Sequence, residues 1–228
     1  MTPHEFLDQL WAEKPSDLYL LIWTLQDKRS RWFQKVEEAA AAVAETPQDV
    51  YVGVGLSPRD YGPSRRCPSE EIACIAGLWA DFDLQSVAHA QKSLPKTIDE
   101  ALGLVPKEFP PTLVIATGNG AHAWWLFKEP WILEDAAERG RAAGLVHRWH
   151  TLLQESALQR GWAFDRLSDL ARVLRIPGTR NTKDPANPKP VTLHSHTGRR
   201  YNPSDFDDLL SGIVVSVPRP RQPSIAAQ

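Results

Sequence analysis

The feature that most constrains this chain is the run Leu78-Trp79-Ala80-Asp81-Phe82-Asp83-Leu84. Its apolar start reads as a buried strand, and it ends in two carboxylates one residue apart. Side chains alternate faces along a strand, so Asp81 and Asp83 point the same way, roughly 6.5–7 Å apart along the chain. Two carboxylates fixed on one face can hold a pair of divalent metals spaced about 3.5–4 Å, the geometry of two-metal phosphoryl transfer. The same pattern also fits a solvated turn or a helix cap, and the stretch alone does not choose.

A chain of 228 residues permits one large domain or two lobes sharing a core. Nine Trp and seven Phe are ample for that core. No run is long and apolar enough to span a bilayer, so no membrane partner is expected. Met1-Thr2-Pro3-His4-Glu5-Phe6 lacks the basic-then-apolar order of a secretory signal. With two cysteines and no export signal, a reducing, cytoplasmic location is expected. Cys67 and Cys74 have no adjacent His or Cys that would make a zinc knuckle, so they read as ordinary thiols.

The net charge of −2 does not announce a nucleic-acid binder, but the charge is unevenly spread. Between Arg139 and Arg200 stand twelve Lys or Arg against four acids, Glu155, Asp165, Asp169 and Asp184. That half can present a basic groove to phosphates, or it can be a mixed solvated surface.

Along the chain, Phe6, Leu7, Leu10 and Trp11 fit a short amphipathic helix. Leu18 to Leu25 suits a buried strand, Gln26 to Arg31 a polar turn, Val36 to Ala44 a helix, and Asp49 to Gly55 a second strand. This is a β-α-β-like start, and the next strong strand carries the Asp pair. Ser57 to Ser69 is a loop rich in Pro, Gly and Arg. Val87 to Leu104 is helical in pattern but interrupted by Pro95, and Pro106 to Pro111 is a linker. Thr112 to Thr117, the turn Gly118-Asn119-Gly120, and His122 to Phe127 predict a hairpin. Ile132 to Gln159 is a long helical stretch. Asp165 to Arg175 reads as a loop and short helix, Pro177-Gly178-Thr179 as a turn, Val191 to His194 as a strand, and Asp205 to Leu210 as a Ser204-capped helical turn. The Pro- and Arg-rich residues 218–228 read as a disordered tail or linker, leaving 1–217 as one domain.

Two further blocks carry chemistry. In Thr117-Gly118-Asn119-Gly120-Ala121-His122, glycines let a ligand approach the backbone, and turn amides can cradle an anion. His122 could donate to a phosphate, although hairpin turns use glycine anyway and strand histidines are often structural. The other block runs from Asp165 to Lys183. If Asp169 to Arg175 is helical, Asp169 and Arg172 share a face, as do Arg172 and Arg175. A metal site for a triphosphate needs such a mix of carboxylates for metals and cations for the remaining phosphate oxygens. An ion-paired surface helix would look the same.

Asp81-Phe82-Asp83, then Gly118-Asn119-Gly120-Ala121-His122, then Asp169 running into Arg172-Val173-Leu174-Arg175-Ile176-Pro177-Gly178-Thr179-Arg180-Asn181-Thr182-Lys183 resemble, in this order, the three motifs of the archaeo-eukaryotic primase superfamily. The third block is most similar to the RepB-like primase and primase-polymerase domains of plasmids, phages and integrated elements. The resemblance spans Leu18 to Phe206. It implies an α+β, two-lobed fold, an N-terminal α/β lobe joined to an RRM-like catalytic sheet, with the active site between them. It implies a DNA primase or primer-extending DNA polymerase serving a mobile element, with Mg²⁺ or Mn²⁺ as cofactor. Its partners would be a single-stranded DNA template, NTPs or dNTPs, and a helicase domain or subunit. Asp81, Asp83 and Asp169 would be the metal-binding carboxylates, with Asp165 a rival for the third place. His122 would contact the nucleotide's phosphates. Arg172, Arg175 and Lys183 are candidates for triphosphate or template contacts, with Gly118 and Gly120 in the turn. Family members often carry a Ser or Thr two residues before the motif histidine, where this chain has Gly120; its nearest hydroxyl is Thr117.

Three other readings compete. A replication-initiation module could bind single strands without catalysis, using the basic half and aromatics such as Trp124 or Trp162. A metal-dependent nuclease could use the same Asp pair. A relaxase would need His194-Ser195-His196 as its histidine motif, whose central Ser fits poorly.

Overall fold

The computed structural model describes residues 1–46, 49–85 and 93–213. Two antiparallel sheets organise it. The first begins with β1 (Leu20–Thr24) and β2 (Arg29–Phe33), which form a hairpin, and continues with β3 (Val50–Gly53). The core face of this sheet is set by alternation: Leu20 and Ile22 of β1 and Val50 and Val52 of β3 are all buried. Helices α1 (Pro3–Trp11) and α2 (Val36–Ala44) pack on each other, and α2 covers β1 and β2. Thr2 starts α1 with a reciprocal capping box to Glu5, which satisfies two backbone donors at the helix end. α1 then buries the stripe Phe6, Leu7, Leu10 and Trp11.

The chain changes sheets at Val54. β4 (Gly55–Leu56) leaves the first sheet and pairs with β5 (Cys74–Asp83) at the edge of the second. After α3 (Ile98–Leu102) come β6 (Leu113–Ala116) and the long β7 (Gly120–Ile132), which form the expected hairpin. β7 pairs along its length with β5. The chain then runs through α4 (Ala136–Gln159), β8 (Val173–Arg175), β9 (Arg180–Asn181), β10 (Lys189–Pro190), β11 (Thr192–His196) and α5 (Asp207–Leu210). The second sheet has the order β11-β6-β7-β5-β4, and β8 returns to complete the first as β2-β1-β3-β8. β9 and β10 form a separate ribbon.

Aromatic rings fill both faces of the second sheet. On one face Trp149 of α4 meets Trp125 edge-on at 4.7 Å, joined by Phe109 and Phe206. On the other, Phe6 of α1 meets Trp124 at 5.9 Å, so α1, which packs on α2, also reaches the second sheet. Cys67 and Cys74 are buried free thiols. Among the described residues no helix is long and apolar enough to cross a membrane.

Three local expectations are corrected. Gln26 to Arg31 is not all turn, because Arg29 to Phe33 is an edge strand that buries Ser30 and turns Arg29 outward. That extra strand makes β3 antiparallel to β1, so the start is a hairpin followed by a helix and a third strand, rather than a β-α-β unit. Asp169 to Arg175 is not helical: its last three residues extend to pair with β3, and this pairing outweighs local helix preference. The expected helix from Val87 is seen only as α3, and residues 86–92 lie outside the described part, as do 214–228 with the expected tail. Residues 106–111 form no regular element, but Phe109 anchors them in the aromatic cluster.

His150 of α4 is fully buried beside Trp79 and Phe164. Burial pushes its pKa down to about 3. Below its ordinary value near 6.5, the unfolded chain binds a proton that the folded chain rejects, so stability falls as pH drops from there towards 3. His150→Phe should remove about 1.4 kcal/mol per pH unit from that fall below pH ~5.5. Urea denaturation across this range reads it, and an unchanged slope would show that His150 is already charged or solvated in the folded state.

Candidate active site

The pairing of β5 with β7 sets opposite each other the residues singled out in the sequence. Asp81 pairs with His122, and Asp83 with Gly120. Gly120 is required here by close approach, since a Cβ at this position would stand 2.2 Å from the Phe82 carbonyl oxygen. Gly118 takes φ +87°, a conformation open to glycine, and Lys189 packs where its side chain would be. The Lys189 ammonium donates to the Gly118 carbonyl at 3.0 Å and to Asn119 Oδ1 at 2.8 Å, which holds the turn in place. Both glycines thus serve backbone geometry. The turn residues that face the neighbouring cleft are Thr117 and Asn119.

That cleft has a volume of about 340 Å³. The second sheet contributes Asp81, Asp83 and His122 to its wall; the first contributes Tyr51, Val173 and Arg175, with Leu25 just past β1; the segment after β8 adds Asn181 and Lys183. The return of β8 is what brings Arg175 across from the carboxylates. Arg175 is only 7% exposed. It forms an ion pair with Asp49, and its guanidinium lies 4.7 Å over the Tyr51 ring. Asp49 is 1% exposed and also accepts from Gln26 Nε2 at 2.8 Å, the Thr182 amide at 3.0 Å and the Thr182 hydroxyl. Burial alone would raise the Asp49 pKa, but the Thr182 and Arg175 hydrogen bonds outweigh it and hold the carboxylate below its usual range. Asn181 donates from its side chain to the Thr117 carbonyl at 2.7 Å, tying the post-β8 segment to the glycine turn.

Electrostatically Asp81 is under stress. Enclosure by the cleft walls, then the like charge of Asp83, raise Asp81 to about 7. Its side chain keeps 30% of its surface open, so water relieves part of the burial effect, while the like charge remains. His122 is 4% exposed, with Nε2 3.5 Å from Asp81 Oδ1, a long contact rather than a strong bond. Burial, then the Arg175 charge, push His122 down to about 3, so at neutral pH it is uncharged.

The two rivals for the third carboxylate part company. Asp165 lines a narrow hollow together with Asp81, Phe82 and Asp83. Trp79 holds this strand of loop against β5 by donating to the Leu167 carbonyl at 3.0 Å. Asp169 instead pairs with Arg172 at 2.8 Å through a turn, and neither lines the cleft or the hollow. Among the described residues, no three His, Cys, Asp or Glu side chains stand close enough to hold a metal ion by themselves. Asp49 and Tyr51 join the cleft and its polar network without any local sequence signal, whereas Asn181 and Thr182 stood inside the third resembling block.

No family model matches the chain, and no curated protein matches it. Solved structures do. The primase-polymerase domain of cyanophage S-2L superposes with a TM-score of 0.55 at 18% identity, over 90% of this chain and 95% of that one. The catalytic domain of primase RepB', determined in complex with initiator DNA, superposes with a TM-score of 0.52 at 16% identity, over 92% of this chain and 94% of that one.

The buried Asp49–Arg175 pair gives a direct test of this architecture. Asp49→Ala strands a buried guanidinium and should cost about 3–5 kcal/mol of unfolding free energy. Chemical denaturation measures it, and a loss below ~1 kcal/mol would mean that Arg175 finds another anchor. Over nine-tenths of the chain, its fold is therefore that of these primase and primase-polymerase catalytic domains.

Proposed function

We propose that this chain is a template-directed nucleotidyltransferase, a DNA primase or primer-extending polymerase, with its active centre at the end of β5. The observation that carries this reading is the facing of unlike charges across one cleft: Asp81 and Asp83 on one wall, Arg175 and Lys183 on the other. Carboxylates suit divalent cations and guanidinium or ammonium groups suit phosphate oxygens, so a nucleoside triphosphate complexed with a cation fits between them. The RepB' relative was solved with initiator DNA, which supports DNA as this chain's partner too.

The donor set fits Mg²⁺ or Mn²⁺. Such ions are usually held by one or two carboxylates, with water and substrate phosphates completing the shell, so a closed cage of three protein ligands is not needed. The raised pKa of Asp81 points the same way, since its burial and the like charge of Asp83 both disfavour an anion that a bound cation would neutralise. Asp81 and Asp83 would hold the cation, with Asp165, which lines the hollow beside them, as the third carboxylate in preference to Asp169, which lines neither the hollow nor the cleft. When bound, the metal supplies Lewis-acid stabilisation of charge on the attacked phosphate and the leaving pyrophosphate.

The chain's own residues do the rest. Arg175, held rigid by Asp49 and Tyr51, offers its remaining donors to triphosphate oxygens without paying for its own ordering. Lys183 adds a second cation on the same wall. Neutral His122 presents a ring beside Asp81 and can donate to a phosphate without adding positive charge to the metal site. A DNA-binding module without chemistry gains nothing from two carboxylates in a strand-binding groove.

Asp81→Ala or Asp83→Ala should abolish incorporation of labelled nucleotide while thermal unfolding stays cooperative. Asp165→Ala should do the same. Asp169→Ala should stay within about threefold of the parent, as expected for an exposed ion pair. Full activity in the Asp81/Asp83 double variant would overturn the assignment, and the reverse ranking of Asp165 and Asp169 would overturn the third carboxylate.

A further inference from the structure

The first sheet carries two aromatic rings side by side at the cleft, of which the chemistry above uses only Tyr51, as a support for Arg175. Trp23 of β1 and Tyr51 of β3 are cross-strand partners, with ring centroids 5.5 Å apart and planes at 60°. Tyr51 lines the cleft; Trp23 stands one strand further from the carboxylates and is half-buried. A cation flanks each ring, but the two cations are not equivalent. Arg175, over Tyr51, is buried and tied to Asp49. Arg66, over Trp23, is exposed on the loop after β4 and lies 5.7 Å from the ring centroid, near the outer limit of an effective cation–π contact. The same loop carries exposed Arg59 and Arg65.

An indole partly covered by a loosely held guanidinium is a surface that a flat ring can take over. Every nucleobase has a π-face that stacks on Trp, and a displaced arginine beside it meets the adjoining phosphate. We propose that Trp23 is a stacking platform for an unpaired base of single-stranded DNA entering the cleft, and that Arg66 moves from the indole to the neighbouring phosphate as the base arrives. This rests on the template-directed reading above and adds to it where the strand lies: across the β1–β3 face, with Tyr51 the next ring towards the carboxylates. A nucleobase could also come from the incoming nucleotide, but that base is tethered to a triphosphate between Asp81 and Arg175, and Trp23 lies a strand beyond Tyr51. The template strand reaches it without that tether.

The test measures strand binding without nucleotide or metal, so it does not depend on catalysis. Fluorescence anisotropy of a labelled oligo-dT strand should show about tenfold weaker binding for Trp23→Ala, the scale of one lost base stack. Trp23→Phe, which keeps a ring, should stay close to the parent and guards against a folding defect in the alanine variant. A strand with abasic sites in place of the bases should bind the parent about as weakly as oligo-dT binds Trp23→Ala, and should not distinguish the two proteins. Arg66→Ala should flatten the salt dependence of binding. Equal affinity of parent and Trp23→Ala for oligo-dT, or equal affinity of the parent for normal and abasic strands, would overturn the proposal. So would a Trp23→Ala defect confined to binding of a fluorescent dNTP in the absence of any strand, since that would assign the platform to the incoming nucleotide. A transferase-dead parent that still showed the strand effects would sink the catalytic reading and leave the platform standing.

Discussion

Everything in this structure depends on how closely β7 can approach β5. Gly120 lets the two backbones meet opposite Asp83, where any side chain would collide with the Phe82 carbonyl. From that contact the register runs on, His122 against Asp81 and Trp124 against Trp79. A slip of one residue would turn both carboxylates into the apolar face and expose Phe82. The cost of holding two like charges on β5 is offset by packing further along the pair, where Trp124 and Trp125 of the partner strand β7 bury against α1 and α4.

The second constraint is the return of the chain. β8 comes back from beyond α4 to add to the first sheet, and this places Arg175 facing carboxylates almost a hundred residues earlier in the sequence. A buried guanidinium is costly unless paired, and Asp49 pairs it. Thr182 and Gln26 join the same carboxylate, so β3, the β1–β2 turn and the segment after β8 share one polar knot. The knot fixes the cation wall of the cleft as firmly as the sheet pairing fixes the carboxylate wall. Catalysis by positioned charges needs both walls rigid.

How much of this could be read from the sequence follows from the range of the forces involved. The Asp81–Asp83 strand, the glycine hairpin, α1 and α2 were legible because alternation, turn chemistry and helical periodicity are local. β2 was hidden because its charged residues, Arg29 and Arg31, look like a turn when the pairing partner is unknown. β8 was hidden because Asp169 to Arg175 has acceptable helical spacing, and its extended form depends on β3, more than a hundred residues away. The same reason explains the site. Asp81, Asp83, His122, Arg175 and Lys183 line one cleft, while Asp169 and Arg172 of the same blocks do not, and Asp49 is an unremarkable acid until Arg175 arrives. Asp165 rather than Asp169 stands beside the Asp pair because the Trp79–Leu167 hydrogen bond holds its loop against β5, which no local pattern announces.

The claim that most needs a direct measurement is that the cleft joins nucleotides rather than cleaving strands. The parent protein, incubated with Mn²⁺ or Mg²⁺, labelled nucleotides and a single-stranded template, should yield labelled products on a denaturing gel, either without a primer or by extension of a supplied one. A template that shortens with no labelled product would contradict the account and make the same two carboxylates those of a nuclease.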